Sequence, residues 1–203
     1  LPFNKRSLEN FENHFKAAGL DQIVDYQRVK ASGEMRKLMQ NKVRDMIKDD
    51  EPVKDIVNAL LDDMRKNNLN EHDVVVMVWN VIMSVVEWNK KEELVADQAL
   101  KHLRTYGPAL LAPFATTPRS ELLLMVKVQE FCYDNMAFHK VFQKIILFFY
   151  KAEIVSEDTI LKWNQDGHSQ KGKGIFLEQM KKFVEWLQNA EEESDEEEEE
   201  EDD

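Results

Sequence analysis

The sequence predicts an all-α fold, and three observations carry that reading. Apolar residues recur at helical spacing over almost the whole chain of 203 residues. Residues that start or stop helices, among them Ser7, Gly19, Pro52, Thr117, Pro118 and Ser156, stand at the ends of those stretches. No segment combines strand alternation with hairpin turn signals. About ten helices joined by short loops then form a stack of antiparallel pairs over residues 1–190, followed by a disordered acidic tail over 191–203.

Taken in order, Ser7 caps a first helix that ends at Gly19, and a second covers 21–49 with Gly33 as a potential break. Pro52 suits a first helical turn, and Val53, Ile56, Val57, Leu60, Leu61 and Met64 follow at i, i+3, i+4, i+7, i+8 and i+11. Residues 74–86 are rich in β-branched side chains. Strands seldom exceed ten residues, however, and Asp73, Asn80, Ser84, Glu87 and Lys91 share one narrow helical stripe, so this is a nearly buried helix. Residues 92–106 make another, closed by Gly107 and Pro108. Thr117 and Pro118 open a central helix to about residue 134. Phe138, Val141, Phe142, Ile145, Ile146 and Phe149 again fill the amphipathic template, leaving Lys140, Gln143 and Lys144 outside. Ser156 caps a short helix with Val155 and Ile160 as a hydrophobic staple, and the last helix, 174–189, buries Phe176, Met180, Phe183 and Leu187. By element length this resembles a HEAT-type array, although no fixed-period repeat is visible.

The formal net charge of −12 is confined to one place. Twelve of the 39 acids lie in residues 191–203, and the other 27 balance the 27 Lys and Arg. A neutral body with a polyanionic end suits neither nucleic acid nor anionic lipid, whose binding needs a basic surface; a basic protein partner is the natural complement. The single cysteine, Cys132, excludes an internal disulfide and fits a reducing compartment. The apolar run 74–86 is too short to span a bilayer, which needs about 20 residues. Because the sequence opens on Leu1 without a signal-peptide pattern, further sequence is expected upstream.

The search for chemistry yields no catalytic residue, metal site or cofactor site. Residues 167–174 give G-x-x-x-x-G-K, but Gly174 follows where a phosphate loop needs Ser or Thr, and a helix precedes instead of a strand; a flexible inter-helix loop is the simpler reading. His14, His72, His102, His139 and His168 show no ligand-pair spacing, and Cys132 sits in an apolar helix where a thiol behaves as a small hydrophobe. The acidic pairs Asp62–Asp63 and Asp49–Asp50 read as solvated helix ends.

The C-terminal third is more informative. FYKAEIVSEDTILKW over 149–163 and FVEWLQNAEEESDEEEEEEDD over 183–203 each mix acids with aromatics at a helix. These stretches resemble the acidic and aromatic boxes of the two-tryptophan domain that closes translation initiation factor 5 and the epsilon subunit of initiation factor 2B. With VEWNKKEELVADQALKHL and KVQEFCYDN, the whole chain is similar to the initiation factor 5 mimic proteins, also called basic leucine zipper and two-tryptophan domain proteins. The resemblance implies a HEAT-like, non-enzymatic, cytoplasmic adaptor that binds lysine-rich segments of the beta subunit of initiation factor 2, contacts initiation factor 3, and competes with initiation factor 5. It places Tyr150, Glu153, Glu157, Asp158 and Trp163 in the first box and Phe183, Glu185, Trp186, Glu191, Glu192 and Glu193 in the second. Lys151 and Lys162 dilute the first box, and Lys181 and Lys182 precede the second. The cysteine-built zinc ribbon of initiation factor 5's GTPase-activating module has no counterpart in a stretch with one cysteine.

Each box also has a purely structural reading. Glu157 and Asp158 stand in the first turn after Ser156, where acids stabilise a helix by roughly 0.3–1 kcal/mol. Tryptophans at helical spacing usually bury, and Trp186, at the edge of its stripe, is better placed than Trp163 for partial exposure. About ten exposed ion pairs along the tail give on the order of 4 kcal/mol, whereas micromolar binding needs about 8, so the boxes must supply the remainder. Ser194, followed by Asp195, Glu196 and Glu197, fits an acidophilic kinase and is a candidate phosphorylation site. The rival readings are a generic acidic-tailed chaperone for basic proteins and, last, an all-α enzyme with a dispersed site.

Overall fold

The computed structural model describes residues 10, 12–14, 16, 19 and 21–201, with side chains as far as Ala190. Residues 10, 12–14 and 16 are helical, no strand occurs among the described residues, and eight α-helices follow: α1 (Asp21–Lys48), α2 (Val53–Asn67), α3 (Glu71–Ser84), α4 (Glu92–Tyr106), α5 (Pro118–Asp134), α6 (Phe142–Lys151), α7 (Glu157–Lys162) and α8 (Lys173–Glu201). Sequence neighbours and next-but-one neighbours pack together: α1 on α2 and α3, α3 on α5, α4 on α6, and α6 on α8. The proposed cap Ser7 lies outside the described residues; Gly19, with φ +72° and its N–H on the Lys16 carbonyl, makes the expected helix-ending turn.

Amphipathic spacing sorts the side chains as physical chemistry demands. Ile56 and Leu60 of α2 are buried, whereas Leu61 at the edge of the stripe is exposed. In α3, Val74, Val75, Met77, Val78, Trp79, Val81, Ile82 and Met83 are all buried, while Asn80 and Ser84 face water on the stripe read from the sequence. Trp79 centres the core, edge-on to Phe131 at 5.7 Å and to Phe149 at 6.1 Å. Thr117 caps α5 by accepting the Ser120 N–H, with Pro118 in the first turn.

Two local expectations are corrected, and two elements run on beyond their expected ends. Gly33 does not break α1: a single glycine costs a helix only about 1 kcal/mol, which 28 residues of helix absorb. As expected, α4 ends at Tyr106; Gly107, at φ −59°, then opens a π-helical turn, Gly107–Leu111, that carries the fully buried Leu110 and Leu111 inward. The segment from Phe138 is split, with Phe138 ending a 3-10 turn (Met136–Phe138) before α6 begins at Phe142, although all six template residues are buried. Finally, the backbone of α8 runs on past residue 190 to Glu201, with no Gly or Pro after Gly174 to end it.

Two carboxylates tie successive layers together. Glu71, the first residue of α3, accepts the Thr116 N–H at 2.8 Å, the Thr117 N–H at 3.2 Å and the Thr116 hydroxyl. Burial alone would raise its pKa; the hydrogen bonds from Thr116, Ser120 and the Thr116 and Thr117 amides outweigh burial and hold it below the usual carboxylate value. A depressed folded pKa means that the stabilisation is complete above the unfolded value near ~4.3 and is lost as pH falls through the folded value. Urea titrations from pH 6 downward are expected to show this loss in the native chain and not in Glu71→Gln; identical acid limbs in the two proteins would exclude the clamp as an acid-sensitive contact.

Candidate docking site on the C-terminal helices

The site is built by α5 to α8. Glu121, in the first turn of α5, accepts the Ser156 N–H at 3.0 Å, the Ser156 hydroxyl at 2.6 Å and the Thr159 hydroxyl, while the Ser156 oxygen caps α7 by accepting the Thr159 N–H. Val155 and Ile160 are buried beside it, as the staple requires. This junction places Glu157, half-buried, and Asp158, exposed, in the first turn of α7, and Glu153 exposed on the preceding corner with φ +57°.

Trp163 lies in the core. Its ring packs 5.3 Å from that of Phe142, and its Nε1–H donates to Gln129 Oε1 at 3.0 Å. Gln129, buried on α5, uses its whole hydrogen-bonding capacity: Oε1 also accepts the Ser169 N–H at 2.9 Å, and Nε2 donates to the Ser169 and Lys171 carbonyls at 2.9 and 2.7 Å. Residues 167–174, the stretch with phosphate-loop spacing, are therefore a pinned inter-helix connection rather than a flexible one. Gly172, at φ +66°, lets Phe176 approach so closely that an added Cβ would sit 2.5 Å from its ring.

That connection sets the start of α8, which turns Phe176, Met180, Phe183, Val184 and Leu187 inward. At its far end Phe183 is covered by Trp186, whose ring stacks on it at 5.8 Å and 12°, and by Tyr150, edge-on at 5.5 Å. Tyr150 also stands edge-on to Trp186 at 6.5 Å. Trp186 remains 55 % exposed, with Glu185 exposed beside it. Of the residues assigned to the boxes, the fold thus brings together Tyr150, Phe183 and Trp186 as one aromatic cluster, spreads Glu153, Glu157 and Asp158 along the α6–α7 corner, and withdraws Trp163 into the core. The side chains of Glu191, Glu192, Glu193 and Ser194 lie outside the described residues; their backbone continues α8.

Nothing else in the described residues offers a competing chemical centre. No group of three His, Cys, Asp or Glu there is placed to hold a metal ion, and no helix is long and apolar enough to cross a membrane. Cys132 is buried, which pushes its thiol pKa up and out of reach of physiological ionisation. His102 has its pKa lowered by burial, with Nε2–H donating to the Ile82 carbonyl at 2.7 Å, and packs on Trp88 and Tyr106 as a structural residue. Sequence reasoning missed Gln129 and Glu121. The available signal for Gln129 was a lone amide on the apolar stripe of Met125, Val128 and Cys132.

The all-helical body thus presents an aromatic cluster, open to solvent at Trp186, directly before an acidic run. Residues 120–197 match the family described as W2: eIF4-gamma/eIF5/eIF2-epsilon. The chain is 53 % identical over 192 residues to eIF5-mimic protein 2 of Gallus gallus and of Homo sapiens, and 51 % identical over 192 residues to eIF5-mimic protein 1 of Mus musculus, in each case over 95 % of this chain and 46 % of the relative. Over nearly its whole length it is thus similar to eIF5-mimic proteins, and it spans about half the length of the curated relatives it matches.

Proposed function

We propose that this chain is the docking part of a cytoplasmic, non-catalytic regulator of translation initiation. It binds lysine-rich segments of the beta subunit of initiation factor 2, contacts initiation factor 3, and competes with initiation factor 5 for the first of these. The observation that carries the reading is the Tyr150–Phe183–Trp186 cluster, placed at the point where α8 enters residues 191–203 with their twelve acids. Lysine stems pack on the exposed face of Trp186, and their ammonium groups pair with the carboxylates beyond it.

The test titrates a labelled lysine-rich segment of the beta subunit into residues 1–203, into 1–190, and into the double variant Glu185→Ala with Trp186→Ala, at several salt concentrations. Removing the tail is expected to weaken binding and flatten its salt dependence, since exposed ion pairs are screened. The double variant is expected to bind at least about tenfold more weakly, the effect of losing one buried aromatic anchor. Undiminished binding by both altered proteins, each still folded, would sink the proposal. Equal affinity for plain polylysine would favour the generic polyanion chaperone instead.

A further inference from the structure

Docking at the tail uses only one end of α8, yet the other end carries a second exposed apolar face. Tyr133, near the end of α5, stacks on His139 at 6.1 Å and 14°, and His139 Nε2–H donates to the Tyr133 carbonyl at 2.9 Å. Met136, whose carbonyl accepts the His139 N–H, is 82 % exposed. The His139 ring also stands edge-on to Phe176 at 6.5 Å, which fixes this corner against the first turn of α8, where Ile175 is 48 % exposed.

Helical spacing joins the two ends. Ile175, Gln179, Lys182 and Trp186 follow at i, i+4, i+7 and i+11 and so lie along one edge of α8, about 16 Å from first to last at ~1.5 Å per residue. Gln179 holds that edge against α6, accepting the Gln143 N–H at 2.9 Å and donating to the His139 carbonyl at 2.7 Å. The seam between α6 and α8 is therefore a strip with an apolar face at each end and a polar middle.

Charge gives the strip a direction. The Trp186 end runs into twelve acids, whereas at the Met136 end Lys140, Lys171 and Lys173 are balanced by Glu92 paired with Lys140, Asp134 paired with Lys171, and the exposed Glu178 one turn on from Ile175. Lys182 stands exposed midway. A lysine block is drawn to the acidic end, whereas the charge-balanced Met136 end offers Tyr133, Met136 and Ile175 to an apolar residue.

We propose, building on the docking function above, that the partner is bipartite: its lysine block lies against Trp186 and the tail, and an apolar residue set about five positions away seats on Tyr133, Met136 and Ile175. Five residues of extended chain at ~3.3 Å each cover the 16 Å between the two faces.

Fluorescence anisotropy with the full chain and three labelled peptides tests this: a lysine block alone, the block with a phenylalanine five residues beyond its C-terminal end, and the block with a phenylalanine five residues before its N-terminal end. One of the two anchored peptides is expected to bind at least about tenfold tighter than the block alone, as burial of one aromatic side chain implies. Ile175→Ser and Met136→Ser, both at exposed positions, remove that gain and leave the affinity for the bare block within about twofold, whereas Trp186→Ala weakens all three peptides. Anchored peptides that bind no better than the block, or a gain that survives both serine variants, overturn the inference while leaving the docking function standing. If no peptide binds at all, the docking function itself falls and this inference with it.

Discussion

Gln129→Leu is expected to lower the stability of the chain by roughly 3–5 kcal/mol, one of the largest effects any single substitution here should produce. Leucine matches the volume of glutamine and leaves no cavity, so the cost is that of polar groups stripped of partners. The buried Trp163 Nε1–H loses its acceptor outright, the Ser169 N–H loses the same one, and the Ser169 and Lys171 carbonyls lose their donors. A buried unpaired group costs about 1–3 kcal/mol; Trp163 bears this in full, while the half-buried Ser169 and the exposed Lys171 recover part from water. Against a total stability on the order of 5–15 kcal/mol the loss is severe, and for ~200 residues it corresponds to a fall in Tm of about 10 °C. Urea unfolding should show a lower midpoint at unchanged slope. A Gln129→Leu protein within 1 kcal/mol of the native chain would mean that the loop is not held from α5, and that the start of α8 is fixed by some other contact.

The difference between what the sequence disclosed and what it hid is physical. Helices were legible because a 3.6-residue period is a property of neighbouring positions, and the buried faces of α2, α3, α6 and α8 follow it residue by residue. Caps were legible for the same reason: Thr117 and Ser156 each accept an N–H three residues on. Hydrogen bonds between Gln129 and residues 40 and 42 positions away, and those that Glu121 accepts from a cap 35 positions away, leave no periodic trace, so the residues that connect the layers went unseen. The split at Phe138 and the π-helical turn after Gly107 share that origin. In both, the demand to bury particular side chains against distant helices overrode a locally regular path. For the docking site, composition fixed the acidic end and the resemblance supplied the boxes. The helical stripe already set Trp186 at an edge and Trp163 inside; packing supplied how far each is covered and joined Tyr150 and Phe183 to Trp186.

That sorting predicts opposite phenotypes for two tryptophans that a motif comparison treats alike. Trp163→Ala should cost about 3–5 kcal/mol of stability, the usual range for removing a fully buried large aromatic, because the ring fills the space beside Phe142 and the surrounding helices cannot collapse to close it. Gln129 would still hold the Ser169 N–H, so the loss comes from the cavity rather than from an orphaned acceptor. Trp186→Ala removes a ring already 55 % in water, and the lost stacking on Phe183 and Tyr150 is worth about 0.5–1.5 kcal/mol. Its larger effect falls on binding. As the exposed anchor ahead of the tail it should behave as a hot spot of about 2 kcal/mol, a roughly thirtyfold loss of affinity for a lysine-rich segment. Thermal melts and peptide titrations on both variants separate the cases: Trp163→Ala is expected to melt early and yet, below its transition, to bind nearly as the native chain does, while Trp186→Ala melts almost normally and binds poorly. If Trp163→Ala lost binding at a temperature where it is fully folded, the buried tryptophan would have to reach the partner through a rearrangement of α7. If Trp186→Ala bound normally, the aromatic cluster would be a cover for Phe183 and no more, and the acidic tail would be left as the only element able to hold a lysine-rich chain, with the weak, salt-sensitive affinity that exposed ion pairs alone allow.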